Sequence, residues 1–213
     1  MKQINKYICD HFENDKFLIL ERLHINKDID SYNYHPKTNE ELYELVNELI
    51  EERGIKANLN DIDTSAITDM NNMFAESNFN GDISNWNVRN VKDMMHMFYN
   101  SKFNGDISKW DVSKVETMYG MFGCSKFNGD ISKWDVSNVK DMHMMFYNSE
   151  FTGENGDISE WDVSNVKDMG GMFYSSLFNR DISEWDVSNV KNMWHMFLGS
   201  PLQQNPPKWN IYK

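Results

Sequence analysis

The chain has 213 residues, with 33 acidic and 21 basic side chains and a formal charge of −12 at neutral pH. An acidic surface repels polyanions, which argues against nucleic acid and anionic membrane as partners. The two cysteines, Cys9 and Cys124, are too few and too far apart for a disulfide scaffold or a metal-binding pair.

Residues 1–35 read as an N-terminal arm, partly helical, with Ile4, Tyr7, Ile8 and Phe12 at helical spacing. The apolar run Phe17-Leu18-Ile19-Leu20 is too short to span a bilayer. Asp10, Glu13 and Asp15 interrupt any signal-peptide core. These features predict a cytoplasmic or particle-associated protein without membrane insertion. Residues 36–56 predict a capping helix. Thr38 is its N-cap and Glu41 completes a capping box, while Pro36 blocks an earlier start and Gly54 ends it. Leu42, Leu45, Val46, Leu49 and Ile50 form its apolar stripe.

From residue 57 to 213 one unit recurs, most cleanly at 105–128: GDISKWDVSKVETMYGMFGCSKFN. Trp86, Trp110, Trp134, Trp161, Trp185 and Trp209 mark it at spacings of 24, 24, 27, 24 and 24. Such a period is the signature of stacked repeats whose apolar faces are buried only by their neighbours. Trp-x-Val, at period 2, predicts a short strand, and Val-x-x-Met-x-x-Met-Phe, at a period near three, predicts a helical turn or two. The expected fold is therefore an α/β solenoid of about six rungs, its strands pairing into a parallel sheet. The last copy shortens to Asn205-Pro206-Pro207-Lys208-Trp209, a half-rung cap with prolines where a further strand would need donors.

The frame Phe-Asn-Gly-Asp-Ile-Ser-x-Trp-Asp-Val-Ser-Asn-Val-x-x-Met-x-x-Met-Phe resembles the BspA-like leucine-rich-repeat family, the mycoplasma lipoprotein-associated repeat. The lead-ins Tyr34-His35-Pro36-Lys37-Thr38-Asn39-Glu40-Glu41-Leu42 and Asp61-Ile62-Asp63-Thr64-Ser65 resemble segments that precede such repeats. The resemblance covers about residues 33–213 and implies a leucine-rich-repeat-like solenoid. Members are often displayed on bacterial surfaces and used for adhesion or protein binding. With neither signal peptide nor lipobox, this chain fits an intracellular or phage-encoded relative.

Repetition also exposes which columns vary. The two positions between the paired Met residues hold Met95-His96, Tyr119-Gly120, His143-Met144, Gly170-Gly171 and Trp194-His195. The position after the Phe holds Ala75, Tyr99, Gly123, Tyr147, Tyr174 and Leu198. Large variable side chains on an outward face suit interface anchors. Met95, Tyr99, Tyr119, His143, Tyr147, Tyr174, Trp194, His195 and Leu198 are therefore the candidate protein-binding residues, set against partial burial between rungs as the plainer reading. Asn85, Lys109, Lys133, Glu160, Glu184 and Lys208 form a second candidate face.

Asp111, Asp135, Asp162 and Asp186, one after each Trp, could form a cation ladder. Asx turns to the following Ser are the stronger expectation. Ser84, Ser108, Ser132, Ser159 and Ser183 lack a recurring base, and the histidines lack ligand spacing. No catalytic residue, metal or cofactor is predicted. The expected function is a monomeric, non-enzymatic interaction module for a protein whose identity the sequence does not give. A cation- or small-ligand-binding solenoid and a self-associating architectural component are the alternatives.

Overall fold

The computed structural model describes residues 32–209. The chain divides into two compact units, Met1–Asn33 and Tyr34–Lys213. The helix read at Ile4 to Phe12 and the Cys9 thiol lie outside the described residues. The second unit holds the predicted cap helix and the repeats.

Helix α1 spans Asn39–Arg53. Thr38 is extended and its Oγ1 accepts the Glu41 N–H at 3.2 Å, while Glu41 Oε2 accepts the Lys37 N–H at 2.6 Å. These bonds satisfy donors that a helix start otherwise leaves without partners. Gly54 stops the helix at φ +87°, where a side chain would be strained, and its N–H donates to the Ile50 carbonyl. Leu42, Val46 and Leu49 are buried and join the same apolar core as the repeats. Arg53 ties the helix end down, donating to both Asp61 carboxylate oxygens (3.0 and 3.1 Å), to Tyr34 Oη and to the Asn58 carbonyl.

The repeats correct the expected architecture. No leucine-rich-repeat solenoid with a strand and short helix per rung forms, and no parallel β-sheet runs along it. Among the described residues α1 is the one α-helix, a 3-10 turn covers Pro201–Gln203, and no strand is longer than an isolated bridge. One such bridge per copy links Asp69, Asp93, Thr117, Asp141, Asp168 and Asn192 in parallel succession. The remainder of each copy is a chain of tight turns. In residues 105–128, N–H groups bond back three residues from Trp110 to Ile107, Val115 to Val112, Met121 to Met118, Gly123 to Gly120 and Ser125 to Phe122.

The sequence explains why turns win. Four polar side chains in residues 105–128 accept an N–H two residues on: Asp106 from Ser108, Asp111 from Ser113, Thr117 from Tyr119 and Ser125 from Phe127. Such local bonds compete with a strand ladder for the backbone. Along the Trp side, side chains join the copies. Each indole N–H donates to the carbonyl that stands one copy earlier: Trp86 to Leu59, Trp110 to Ile83, Trp134 to Ile107, Trp161 to Ile131, Trp185 to Ile158 and Trp209 to Ile182, all at 3.0–3.2 Å. The Trp column thus stacks regularly.

Two phenylalanine columns fill the core. Phe74, Phe98, Phe122, Phe146, Phe173 and Phe197 lie 5.6–6.1 Å apart, ring over ring. Phe79, Phe103, Phe127, Phe151 and Phe178 form the second column, wedged against the first. The three extra residues between Phe151 and Asp157 are absorbed locally. Gly153 takes φ +76°, and Thr152 and Asn155 both bond to Asn128 of the previous copy.

Candidate functional site

The varied columns share one wall, built on the Met-x-x-Met-Phe stretch. Four N–H groups per copy donate to the next copy there. From Met94, His96, Phe98 and Asn100 they reach the carbonyls of Thr117, Tyr119, Met121 and Gly123 at 2.7–3.1 Å. Five successive pairs of copies repeat this pattern, so N–H groups always point toward the C-terminal end and carbonyls toward the N-terminal end. The geometry requires two residues per copy with positive φ: Asn72 and Glu76, His96 and Asn100, Gly120 and Cys124, Met144 and Asn148, Gly171 and Ser175, His195 and Gly199.

On this frame the predicted contact residues come together, though less exposed than expected. Met95, Tyr99, Tyr119, His143, Tyr147 and Tyr174 are half-buried; Trp194, His195 and Leu198 are exposed, Trp194 at 70%. Their rings cover one another from copy to copy: His96 on Tyr119 (4.8 Å), Tyr119 on His143 (5.2 Å), Tyr147 on Tyr174 (5.3 Å) and Tyr174 on His195 (6.3 Å). Their variation is also partly paired. A Cβ on Gly120 would lie 2.3 Å from the His96 ring, one on Gly123 2.9 Å from Tyr99, and one on Gly170 2.8 Å from His143. A large ring in one copy thus sits over glycine in the next. That coupling was visible in the sequence as glycine following a large residue in the same column. Burial holds the His96 imidazole below its ordinary pKa, while contact with the Cys124 thiol raises the Tyr99 phenol.

The aspartates after each Trp behave as turn formers. Asp111, Asp135, Asp162 and Asp186 each accept the N–H of the Ser two residues on, at 3.0–3.2 Å. The serine bonds hold Asp111, Asp162 and Asp186 below the usual carboxylate range. Among the described residues, no three His, Cys, Asp or Glu side chains converge as metal ligands would. The column of Asn85, Lys109, Lys133, Glu160, Glu184 and Lys208 is exposed throughout. Asn80, Asn104 and Asn128 each accept a backbone N–H of the next copy at 2.8–3.0 Å.

A further polar column went unread: Asp69, Asp93, Asp141 and Asp168, interrupted by Thr117 and ended by Asn192. These residues carry the bridges, are partly buried, and accept the N–H two residues on. Burial pushes Asp93 and Asp141 up, aided by neighbouring carboxylates. Burial acts on Asp168 too, but the Gly170 N–H, the Asn192 amide and His143 Nδ1 (3.1 Å) hold it down. The signal was the recurring acid or amide directly before the first Met of each pair.

A family model described as "Mycoplasma protein of unknown function, DUF285" matches residues 40–156 and 124–213. The chain belongs to the DUF285 family. The two matches overlap, as copies of one repeat allow, and together take in α1 and every repeat. No curated protein and no solved structure matches the chain. Among the described residues no helix is long and apolar enough to cross a membrane.

Proposed function

We propose that this DUF285 protein is a non-enzymatic protein-binding module, akin to BspA-like adhesin repeats, that engages its partner through the turn wall. The observation carrying this reading is a pair of ring runs across the copies, His96 to Tyr119 to His143 and Tyr147 to Tyr174 to His195, with exposed Trp194 beside the last. Aromatic side chains held in place by packing lose little conformational freedom when a partner covers them, which makes them efficient anchors. The repeated backbone bonds beneath supply rigidity.

An affinity capture from the native host, read by mass spectrometry, would identify the partner. Tyr119→Ala, Tyr147→Ala and Tyr174→Ala combined should then weaken its binding by about tenfold or more. Unchanged affinity in a variant that still folds refutes the assignment of this wall.

A further inference from the structure

Over five copies the turn wall carries no carboxylate, ammonium or guanidinium group. Residues 94–101, 118–125, 142–149, 169–176 and 193–200 contain no Asp, Glu, Lys or Arg, although these make up 25% of the chain. Charge returns at both borders. Lys92, Lys140, Lys167 and Lys191 stand just before these stretches and Lys102, Lys126 and Glu150 just after, all of them exposed. An uncharged strip of rings between charged borders has the composition of an interface core inside its polar rim. The rows are also evenly spaced. From copy to copy the ring centroids step by 4.8, 5.2, 5.3 and 6.3 Å. Side chains three and four residues apart on an α-helix advance by about 4.5 and 6.0 Å along its axis. Same-face side chains of an extended chain advance by about 6.6 Å, against a backbone repeat of about 4.8 Å here, and fall out of step.

We propose that the wall seats one amphipathic α-helix of a partner protein, lying along the stack with an uncharged apolar stripe at i, i+3, i+4 and i+7 against the rings. Its stripe meets Met95, Tyr119, Tyr147 and Tyr174, while its polar flanks meet the charged borders. A charge within the stripe is disfavoured, because the wall has no Asp, Glu, Lys or Arg to replace the water that it would lose. Five copies at about 4.8 Å make a strip about 24 Å tall, the length of about 16 helical residues. A second copy of this chain is the poorer occupant. A standard interface takes about 800 Å2 from each partner, more than a strip two ring columns wide supplies. Two chains that each carry −12 also repel one another.

The inference rests on the protein-binding reading of the same wall and adds the partner's conformation and chemistry. Its probe is a synthetic peptide of about 16 residues, built from Leu, Ala and Gln with Leu at the stripe positions and a staple on the Gln face to hold the helix. Titrated into the full chain and followed by amide NMR, it should shift Met95, Tyr119, Tyr147 and Tyr174 and leave Asp111, Asp135 and Asp162 unmoved. The same composition with Leu scattered round the helix, and an extended peptide alternating Leu and Gln, should each bind at least about tenfold more weakly. Tyr147→Lys places a charge in the wall and should weaken the stapled helix by about tenfold or more, whereas Tyr147→Phe keeps the ring and should not. No shift on the wall, equal binding by either control peptide, or full binding by Tyr147→Lys would each overturn the proposal. If the helix fails while a captured host partner is still lost on combining Tyr119→Ala, Tyr147→Ala and Tyr174→Ala, the wall stands as a binding face and only the helix falls.

Discussion

Replacing Asp93 with Asn isolates the cost of stacking acids along the bridges. Asp93 lies between Asp69 and Thr117, and its Oδ1 accepts the Met95 N–H at 2.8 Å. Asn192 performs the same task for Trp194 at 3.0 Å, so an amide retains the acceptor while removing the charge. Paired backbones one copy apart lie about 4.8 Å from each other. Two carboxylates at that spacing repel by about 1 kcal/mol at water's dielectric, and by more where partly buried. A neutral acceptor bonds the N–H more weakly than a charged one, which offsets part of the gain. Asp93→Asn should therefore raise unfolding free energy by about 1 kcal/mol near pH 7. Burial, with Asp69 and Asp141 adding, raises the folded carboxyl above its unfolded value. The parent thus has this contribution intact below the unfolded pKa and loses it as pH rises through the folded one. The variant's advantage should accordingly be absent in acid and complete above the raised folded pKa. Urea unfolding across that range gives the answer. A variant less stable than the parent near neutral pH, or an advantage independent of pH, would refute the repulsion argument.

The opposite sign is expected at Asp111, held low by Ser113: Asp111→Asn should destabilise above the unfolded pKa and lose that effect as pH falls through the folded one, read by the same titration. Trp134→Phe removes the indole bond to Ile107 and part of a buried ring, and should cost about 2–3 kcal/mol in chemical unfolding. Gly120→Ala must hold a side chain at φ +59° beside the His96 ring; about 1–3 kcal/mol should be lost, and His96→Ala in the same chain should restore part of it, a non-additivity that thermal melts would detect. Arg53→Ala releases Asp61 and Tyr34 and should cost about 1 kcal/mol, with amide exchange accelerating in α1 but not in 105–150.

What was legible from sequence was whatever repeats in register. The Trp column follows from a side chain recurring at one period, and α1 follows from its Thr38 box and its apolar stripe at helical spacing. The conformation between those landmarks was not legible. Trp110 and Val112 do turn inward together with Asp111 outside, as a strand would have them. Yet Ile107 and Val112 each open a tight turn, and the carbonyl of Ile107 is taken by Trp110 and by the indole of Trp134. Period 2 over three residues cannot distinguish a strand from the short straight piece between two turns. Likewise, Met118-x-x-Met121 has helical spacing, but Gly120 and Cys124 at positive φ convert it into turns that face the next copy. Composition gives only weak notice of that, because His96, Met144 and Ser175 adopt the same conformation as the glycines.

The paired variation in the wall sharpens where function should be sought. Where a ring faces glycine, as His96 does Gly120 and His143 does Gly170, the two residues constrain each other and change together for packing reasons alone. Such positions vary without implying a partner. Tyr147 and Tyr174 differ, because both copies keep a large ring where either could have had glycine, and both remain half exposed. Trp194 and Leu198 differ further, since both are large apolar groups left exposed in the last described copy.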